Sequence, residues 1–152
     1  MDKHHKVIVV VGPTASGKSD FAVELAKTCH GEIISADSRQ IYKGLDIGTG
    51  KITKEEMQYI PHYMLDICNI TDTFSVAEYK RLATPILNDI LSRNKTPIIC
   101  GGTGQYIDSL IYTQEIPEVK PNQKLREELD QKDTETLYQE LLNKDKRRAE
   151  EI

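Results

Sequence analysis

An apolar, β-branched run, Val7-Ile8-Val9-Val10-Val11, leads without a break into Gly12-Pro13-Thr14-Ala15-Ser16-Gly17-Lys18-Ser19. This junction constrains the fold more than any other segment. A buried strand feeding G-x-x-x-x-G-K-S is the context of a phosphate-binding loop set between strand and helix. Glycines let the backbone wrap an anion with successive N–H groups pointing inward. The next segment, Ser19 to Cys29, carries Phe21, Ala22, Leu25 and Ala26 at helical spacing. Its N-terminus adds partial positive charge to the same nest. Lys18 stands where it meets terminal phosphate oxygens, and the Ser19 hydroxyl where it ligates Mg2+. The loop specifies an anion, not a reaction.

Gly31 ends the first helix, and Glu32 to Ala36 reads as a second strand with Asp37 at its end. Ser38 to Lys51 is polar and rich in Gly and Thr, which predicts a long ordered loop with a short helical turn. Thr53-Lys54-Glu55-Glu56 fits a capping box opening a brief helix that Pro61 stops, and Tyr63 to Ile67 reads as a further strand. A second capping box, Ser75 to Glu78, opens a longer helix with Tyr79, Ala83, Ile86, Leu87 and Ile90 on one face. Pro85 is expected to kink that helix or remove one hydrogen bond. Pro97 to Cys100 is strand-like, and Gly101-Gly102-Thr103-Gly104 is a tight turn into a helix through Tyr112. Strands alternating with helices predict a parallel sheet covered on both faces.

Beyond Pro117 no strand-like run remains. Pro121 could begin a charged helix, and Asp133 caps another carrying Leu137, Leu141 and Leu142. Residues 120–152 hold eight Lys/Arg and nine Asp/Glu, a balance that favours a solvated, salt-bridged surface over an RNA-facing one. The helical pattern runs to Glu151-Ile152 without a cap. The composition change therefore separates an α/β stretch up to Tyr112 from a charged, helical stretch from Pro117 onward.

With 38% hydrophobic and 29% charged residues, the chain matches a soluble globular protein rather than a disordered one. No apolar run is long enough for a membrane span. A net charge of −4 argues against a broad nucleic-acid footprint while leaving room for a local basic groove. Cys29, Cys68 and Cys100 are odd in number and form no C-x-x-C pair, so reduced thiols in a cytoplasmic setting are the natural reading.

Open α/β sheets bind ligands at the carboxyl ends of their strands. Three such ends converge here: Gly12–Ser19, Asp37 with its followers, and Gly101–Gly104. Asp37 could serve as metal ligand, general base or turn cap. Arg39 could meet phosphate or lie on the surface. Thr103 offers a hydroxyl and an N–H between glycines, or is a turn residue chosen for conformation. His62 lacks a second ligand at metal spacing and reads as structural. Tyr42, Tyr63, Tyr79 and Tyr106 read as core or groove-lining aromatics. The strand Ile98-Ile99-Cys100 ends in Gly rather than in the acid an ordinary P-loop ATPase carries there.

Taken together, Gly12–Ser19, Ser35-Ala36-Asp37-Ser38-Arg39-Gln40-Ile41-Tyr42, Leu45-Asp46-Ile47-Gly48-Thr49 and Gly101–Gly104 closely resemble the tRNA dimethylallyltransferase family, as do Pro61-His62 and Leu65-Asp66-Ile67. The resemblance runs from about Val7 to the end and is densest before Tyr112. It implies a P-loop NTPase-like parallel sheet flanked by helices. It implies transfer of the dimethylallyl group of dimethylallyl diphosphate to N6 of the adenosine 3′ to the anticodon of tRNA. The P-loop then grips the diphosphate leaving group, with Mg2+ on Ser19, while Lys18, Asp37 (proton acceptor) and Thr103 are the catalytic candidates. Asp37, Ser38, Arg39, Gln40 and Thr103 contact the anticodon stem-loop base, and the full-length protein is a monomer. Ser19, Gly50 and Gln105 stand where the family often has Thr, Ala and Leu. Family members are about twice as long, so the resemblance implies a P-loop α/β core over 1–114 lacking its C-terminal return, and the start of a helical, tRNA-binding insertion over 115–152. The rival classes are a small-molecule or nucleotide kinase and a non-catalytic nucleotide- or RNA-binding remnant.

Overall fold

The computed structural model of the chain describes residues 6–112 and 122–152. The chain divides into two compact units, Met1–Pro117 and Glu118–Ile152. The boundary expected at 114/115 and the role of Pro121 lie outside the described residues.

In the first unit, β1 (Ile8–Val11), β2 (Gly31–Ser35), β3 (His62–Tyr63) and β4 (Thr96–Gly101) form a parallel sheet in the order β1-β4-β2-β3. Register pairs Val11 with Gly101 and Ser35 with Cys100. The ends of β1, β4 and β2 are therefore level, and the loops that follow them emerge at one edge. On its outer side β1 pairs with no strand among the described residues.

Side chains alternate across a strand, so Ile33 and Ile98 face one side and Ile34 and Ile99 the other. The first pair joins Val10 and Cys100 against Ala22, Val23 and Ala26 of α1 (Lys18–Cys29). The second joins Ala36 and Ile41 against Tyr79, Ala83 and Ile90 of α2 (Val76–Ser92) and Tyr106 and Ile107 of α3 (Gly104–Ile111). Each aliphatic side chain fully buried in these layers contributes about 1.5–3 kcal/mol. Tyr79 and Tyr106 stack with centroids 4.0 Å apart, and the Tyr79 hydroxyl donates to Ser35 O at 2.9 Å. That bond satisfies a buried phenol and ties the end of β2 to α2.

The Ser75 capping box forms as expected, with Glu78 N–H on Ser75 Oγ at 3.2 Å and Ser75 N–H on Glu78 Oε2 at 3.1 Å. The helix continues through Pro85, whose ring nitrogen leaves the Arg81 carbonyl without its usual donor.

Three expectations are corrected. Phe21 is 61% exposed, because α1 turns Ala22 and Val23 to the sheet instead. Thr53 and Glu56 exchange capping bonds, at 2.8 and 3.2 Å, but only turns follow. Gln58 and Tyr59 adopt left-handed φ of 48° and 64°, which a helix cannot continue through. The strand predicted for Tyr63 to Ile67 shrinks to His62–Tyr63, since Met64 and Asp66 take φ of 65° and 53°.

At the amino end of β2, Glu32 is buried and bound on every side. Arg93 donates both Nη atoms to it at 2.6 and 2.7 Å, Lys95 Nζ at 2.5 Å and the Tyr63 hydroxyl at 2.8 Å. These charge-assisted bonds hold the carboxyl down at about 2 against the opposing effect of burial.

The second unit contains α4 (Gln123–Asp130), α5 (Thr134–Lys144) and α6 (Lys146–Glu150), capped by Asn122, Asp133 and Asp145. Neither α4 nor α5 has a fully buried residue. Lys132–Glu140 and Arg148–Glu151 are among the ion pairs on this polar surface.

Candidate functional site

The loop Gly12–Ser19 leaves β1 and turns into α1 through two left-handed residues, Ala15 at φ 61° and Gly17 at φ 79°. Gly17 is the N-cap of α1, and no side chain caps it. The first-turn N–H groups thus have no side-chain competitor for an anion. Lys18 Nζ donates to Pro13 O at 3.0 Å, which folds its side chain back over the loop.

Asp37 stands two residues past β2 and is half-buried. Its Oδ1 accepts the Arg39 N–H at 2.9 Å, an Asx-type turn that points the chain away from the sheet. The turn is held from the neighbouring strand end. Thr103 Oγ1 accepts the Ser38 N–H at 3.0 Å, Thr103 N–H donates to Ala36 O at 3.0 Å, and Ala36 N–H donates to Cys100 O at 2.8 Å. Gly101 makes this approach possible: a Cβ there would lie 2.2 Å from Ala36 O, far inside contact distance. A side-chain carboxylate at the end of β4 is therefore sterically excluded.

The phosphate loop and Asp37 border one cleft of about 360 Å³, lined by Thr14 to Asp20 on one side and by Asp37, Gln40, Thr49 and Gly50 on the other. That is the lower end of small-ligand sites. A tighter recess beneath it is shared by Lys18, Ser19, Asp37 and Gln40 with His62 and Cys100. Ser38 and Thr103 meet through their hydrogen bond but line neither the cleft nor the recess, and Arg39 is exposed. Gln40 lies deeper: its Nε2 donates to Thr49 O at 3.4 Å and Gly50 O at 3.3 Å. Gly12 is half-buried, and Pro13 is exposed where it accepts Lys18.

Sequence reading did not bring His62 to this recess, nor Thr49 and Gly50 to the cleft wall. The signal was the pairing of Pro61-His62 beside Ile33 in parallel register, which only the sheet order reveals. His62 Nδ1 is 2.8 Å from Ile60 O and so carries the proton, and burial lowers its pKa, favouring a neutral ring. Burial pushes the Cys100 thiol up to about 11, outweighing nearby Lys18, so it is no nucleophile at neutral pH. Among the described residues no cluster of three or more His, Cys, Asp or Glu is placed to hold a metal ion. The hard oxygens of Ser19 and Asp37 on one cleft nevertheless suit a Mg2+ ion that takes its other ligands from phosphate and water.

A profile of the family described as IPP transferase matches residues 40–152. A tRNA dimethylallyltransferase from Thermoanaerobacter sp. is 48% identical over 151 residues, covering 97% of this chain and 48% of the relative. The crystal structure of a tRNA isopentenylpyrophosphate transferase from Staphylococcus epidermidis is 48% identical with a TM-score of 0.69, covering 96% of this chain and 48% of that one. A eukaryotic dimethylallyltransferase captured acting on tRNA is 30% identical with a TM-score of 0.83, covering 97% and 38%. The chain spans about half the length, or less, of the relatives it matches. With a profile match over most of its length and structural neighbours that share its parallel sheet and flanking helices, the chain belongs to the IPP transferase family.

Proposed function

We propose that the protein transfers the dimethylallyl group of dimethylallyl diphosphate to N6 of the adenosine immediately 3′ of the anticodon in tRNA. The observation that carries this reading is the meeting of an anion-binding loop and the Asp37 carboxylate across one small cleft, in a chain of this family. The diphosphate lies in the Gly12–Ser19 nest, where backbone N–H groups and Lys18 stabilise the charge that grows as the allylic C–O bond breaks. Ser19 would hold Mg2+, which supplies further neutralisation of the leaving diphosphate. The new bond joins the allylic carbon to N6. The proton that N6 sheds passes to Asp37, and diphosphate departs. An adenine amine is a weak nucleophile, so orientation by the Asp37–Gln40 turn and Thr103 matters as much as basicity. The base must leave its stack to reach this cleft. Residues 115–152 are proposed as the start of a helical tRNA-binding insertion on the α/β core of 1–114. The proposed setting is the cytoplasm; no helix among the described residues is long and apolar enough to cross a membrane.

Gly101, where a Cβ would lie 2.2 Å from Ala36 O, keeps β4 from ending in the acid of an ordinary P-loop ATPase, and this weakens the ATP-dependent alternative. The test is incubation of the chain with labelled dimethylallyl diphosphate, Mg2+ and tRNA, followed by nucleoside mass spectrometry. A donor-dependent N6-isopentenyladenosine signal that Asp37→Ala reduces at least a hundredfold is the expected result. Transfer of the ATP γ-phosphate without prenylation would overturn the reading. AMP preferred over tRNA would reassign the acceptor, and stabilisation by ligands without turnover would mark a binding-only chain.

A further inference from the structure

Lys51 lies outside every motif that points to the phosphate, yet its side chain is only 5% exposed. Its Nζ donates to Tyr42 O at 2.7 Å, Asp46 Oδ1 at 2.7 Å and Asp66 Oδ1 at 2.5 Å. An ammonium has three N–H donors, and these contacts use all three. Burial alone would lower the pKa of Lys51, but the hydrogen bonds to Asp46 and Asp66 outweigh it and raise the pKa, so the charge is fixed.

Those partners come from three separate places: the end of the Asp37–Tyr42 turn, the start of the Asp46–Gly50 loop and the turn after β3. The loop closes on itself through Lys51 N–H to Asp46 O at 3.0 Å and Gly50 N–H to Ile47 O at 3.2 Å. Its Thr49 and Gly50 form the cleft wall facing the phosphate loop, and their carbonyls receive the Gln40 carboxamide. From the opposite side, Asp66 N–H donates to Gln40 O at 3.3 Å. The same residue that anchors Lys51 thus also anchors the Gln40 backbone.

We propose that Lys51 is a positioning residue that clamps the Asp46–Gly50 loop and the Asp66 turn together, and so sets the cleft wall opposite the diphosphate and the attitude of Gln40. Its charge is taken up by two carboxylates, so it acts through geometry and not as a phosphate ligand. A wall left loose must be ordered by the ligand at the ligand's expense in affinity. The part played by diphosphate rests on the proposed function; the clamp itself does not.

The test compares Lys51→Met, Lys51→Arg and Asp46→Asn in this chain. Binding of inorganic pyrophosphate with Mg2+ is read by calorimetry, and amide exchange at Gly50 and Lys51 is read without ligand. Lys51→Met is expected to raise exchange at both amides at least tenfold and weaken pyrophosphate at least fivefold, and Lys51→Arg to restore affinity to within twofold. Asp46→Asn separates geometry from charge. It makes the surroundings more positive, so simple attraction predicts tighter pyrophosphate, whereas a broken clamp predicts weaker binding. Unchanged exchange in Lys51→Met, or tighter binding by Asp46→Asn, would overturn the proposal. If Lys51→Met fails to fold, Asp46→Asn alone decides by the same two readouts. Failure of the unmodified chain to bind pyrophosphate refutes the diphosphate reading, and exchange at Gly50 and Lys51 then decides the clamp.

Discussion

Replacing Glu32 by Gln removes one negative charge from the buried cluster at the amino end of β2 and changes almost nothing in shape. The amide can still accept the Tyr63 hydroxyl, but the bidentate pair with Arg93 and the bond from Lys95 each lose their ionic part. The carboxyl is depressed from 4.5 to about 2 in the folded chain. At about 1.4 kcal/mol per pKa unit, that difference corresponds to roughly 3 kcal/mol of stability. Arg93 and Lys95 are 36% and 43% exposed, so solvent screening brings the expected loss to about 2 kcal/mol. The sign follows from the depressed pKa. The contribution is complete above the unfolded value near 4.5 and disappears as pH falls through about 2. Urea unfolding followed by circular dichroism at pH 7, 5 and 3.5 reads it directly. The gap between the native chain and Glu32→Gln should be full at pH 7, close to full at pH 5 and cut to about 60% at pH 3.5. A gap below about 0.5 kcal/mol at pH 7, or one that widens on acidification, would refute the assignment of this cluster as an ionic anchor.

Gly101→Ala forces a methyl into the Ala36 peptide and should cost about 3 kcal/mol or more in urea unfolding, with pyrophosphate binding impaired through the displaced Asp37 turn. Ser75→Ala removes the α2 cap and should lower stability by about 1 kcal/mol, measurable as a fall in melting temperature. Lys18→Met should abolish pyrophosphate binding in calorimetry while leaving the melting temperature within a few degrees, because its described bond is to the exposed Pro13 carbonyl. In the folded chain at pH 8, Cys29 should react with iodoacetamide well before the buried Cys68 and Cys100, whose thiols burial raises. Peptide mass mapping of partly alkylated protein gives the order.

Local chemistry in the sequence determined the phosphate loop, the capped helix after Ser75, the strand at Pro97–Cys100 and the carboxyl-edge placement of Asp37 and Thr103. Each rests on residues within a few positions of one another: a glycine at a left-handed φ, a Ser–Glu cap, a β-branched run. The strand order was not local. That β4 lies between β1 and β2 depends on which faces bury best against α1 and on Gly101 letting Ala36 approach, and both are contacts between residues far apart in sequence. Of the strand expected from Tyr63 to Ile67 only Tyr63 lies in β3, because Met64 and Asp66 take left-handed φ, and Phe21 turned outward while Val23 turned in. Lys51 is the sharpest case. In sequence it is one polar residue in a polar loop; buried among Tyr42, Asp46 and Asp66, it fixes a wall of the cleft. The chain's own letters could name the proposed anion site, because a loop that binds phosphate is built from consecutive backbone groups. Only tertiary structure could supply what faces it, because burial and charge pairing are properties of neighbours in space.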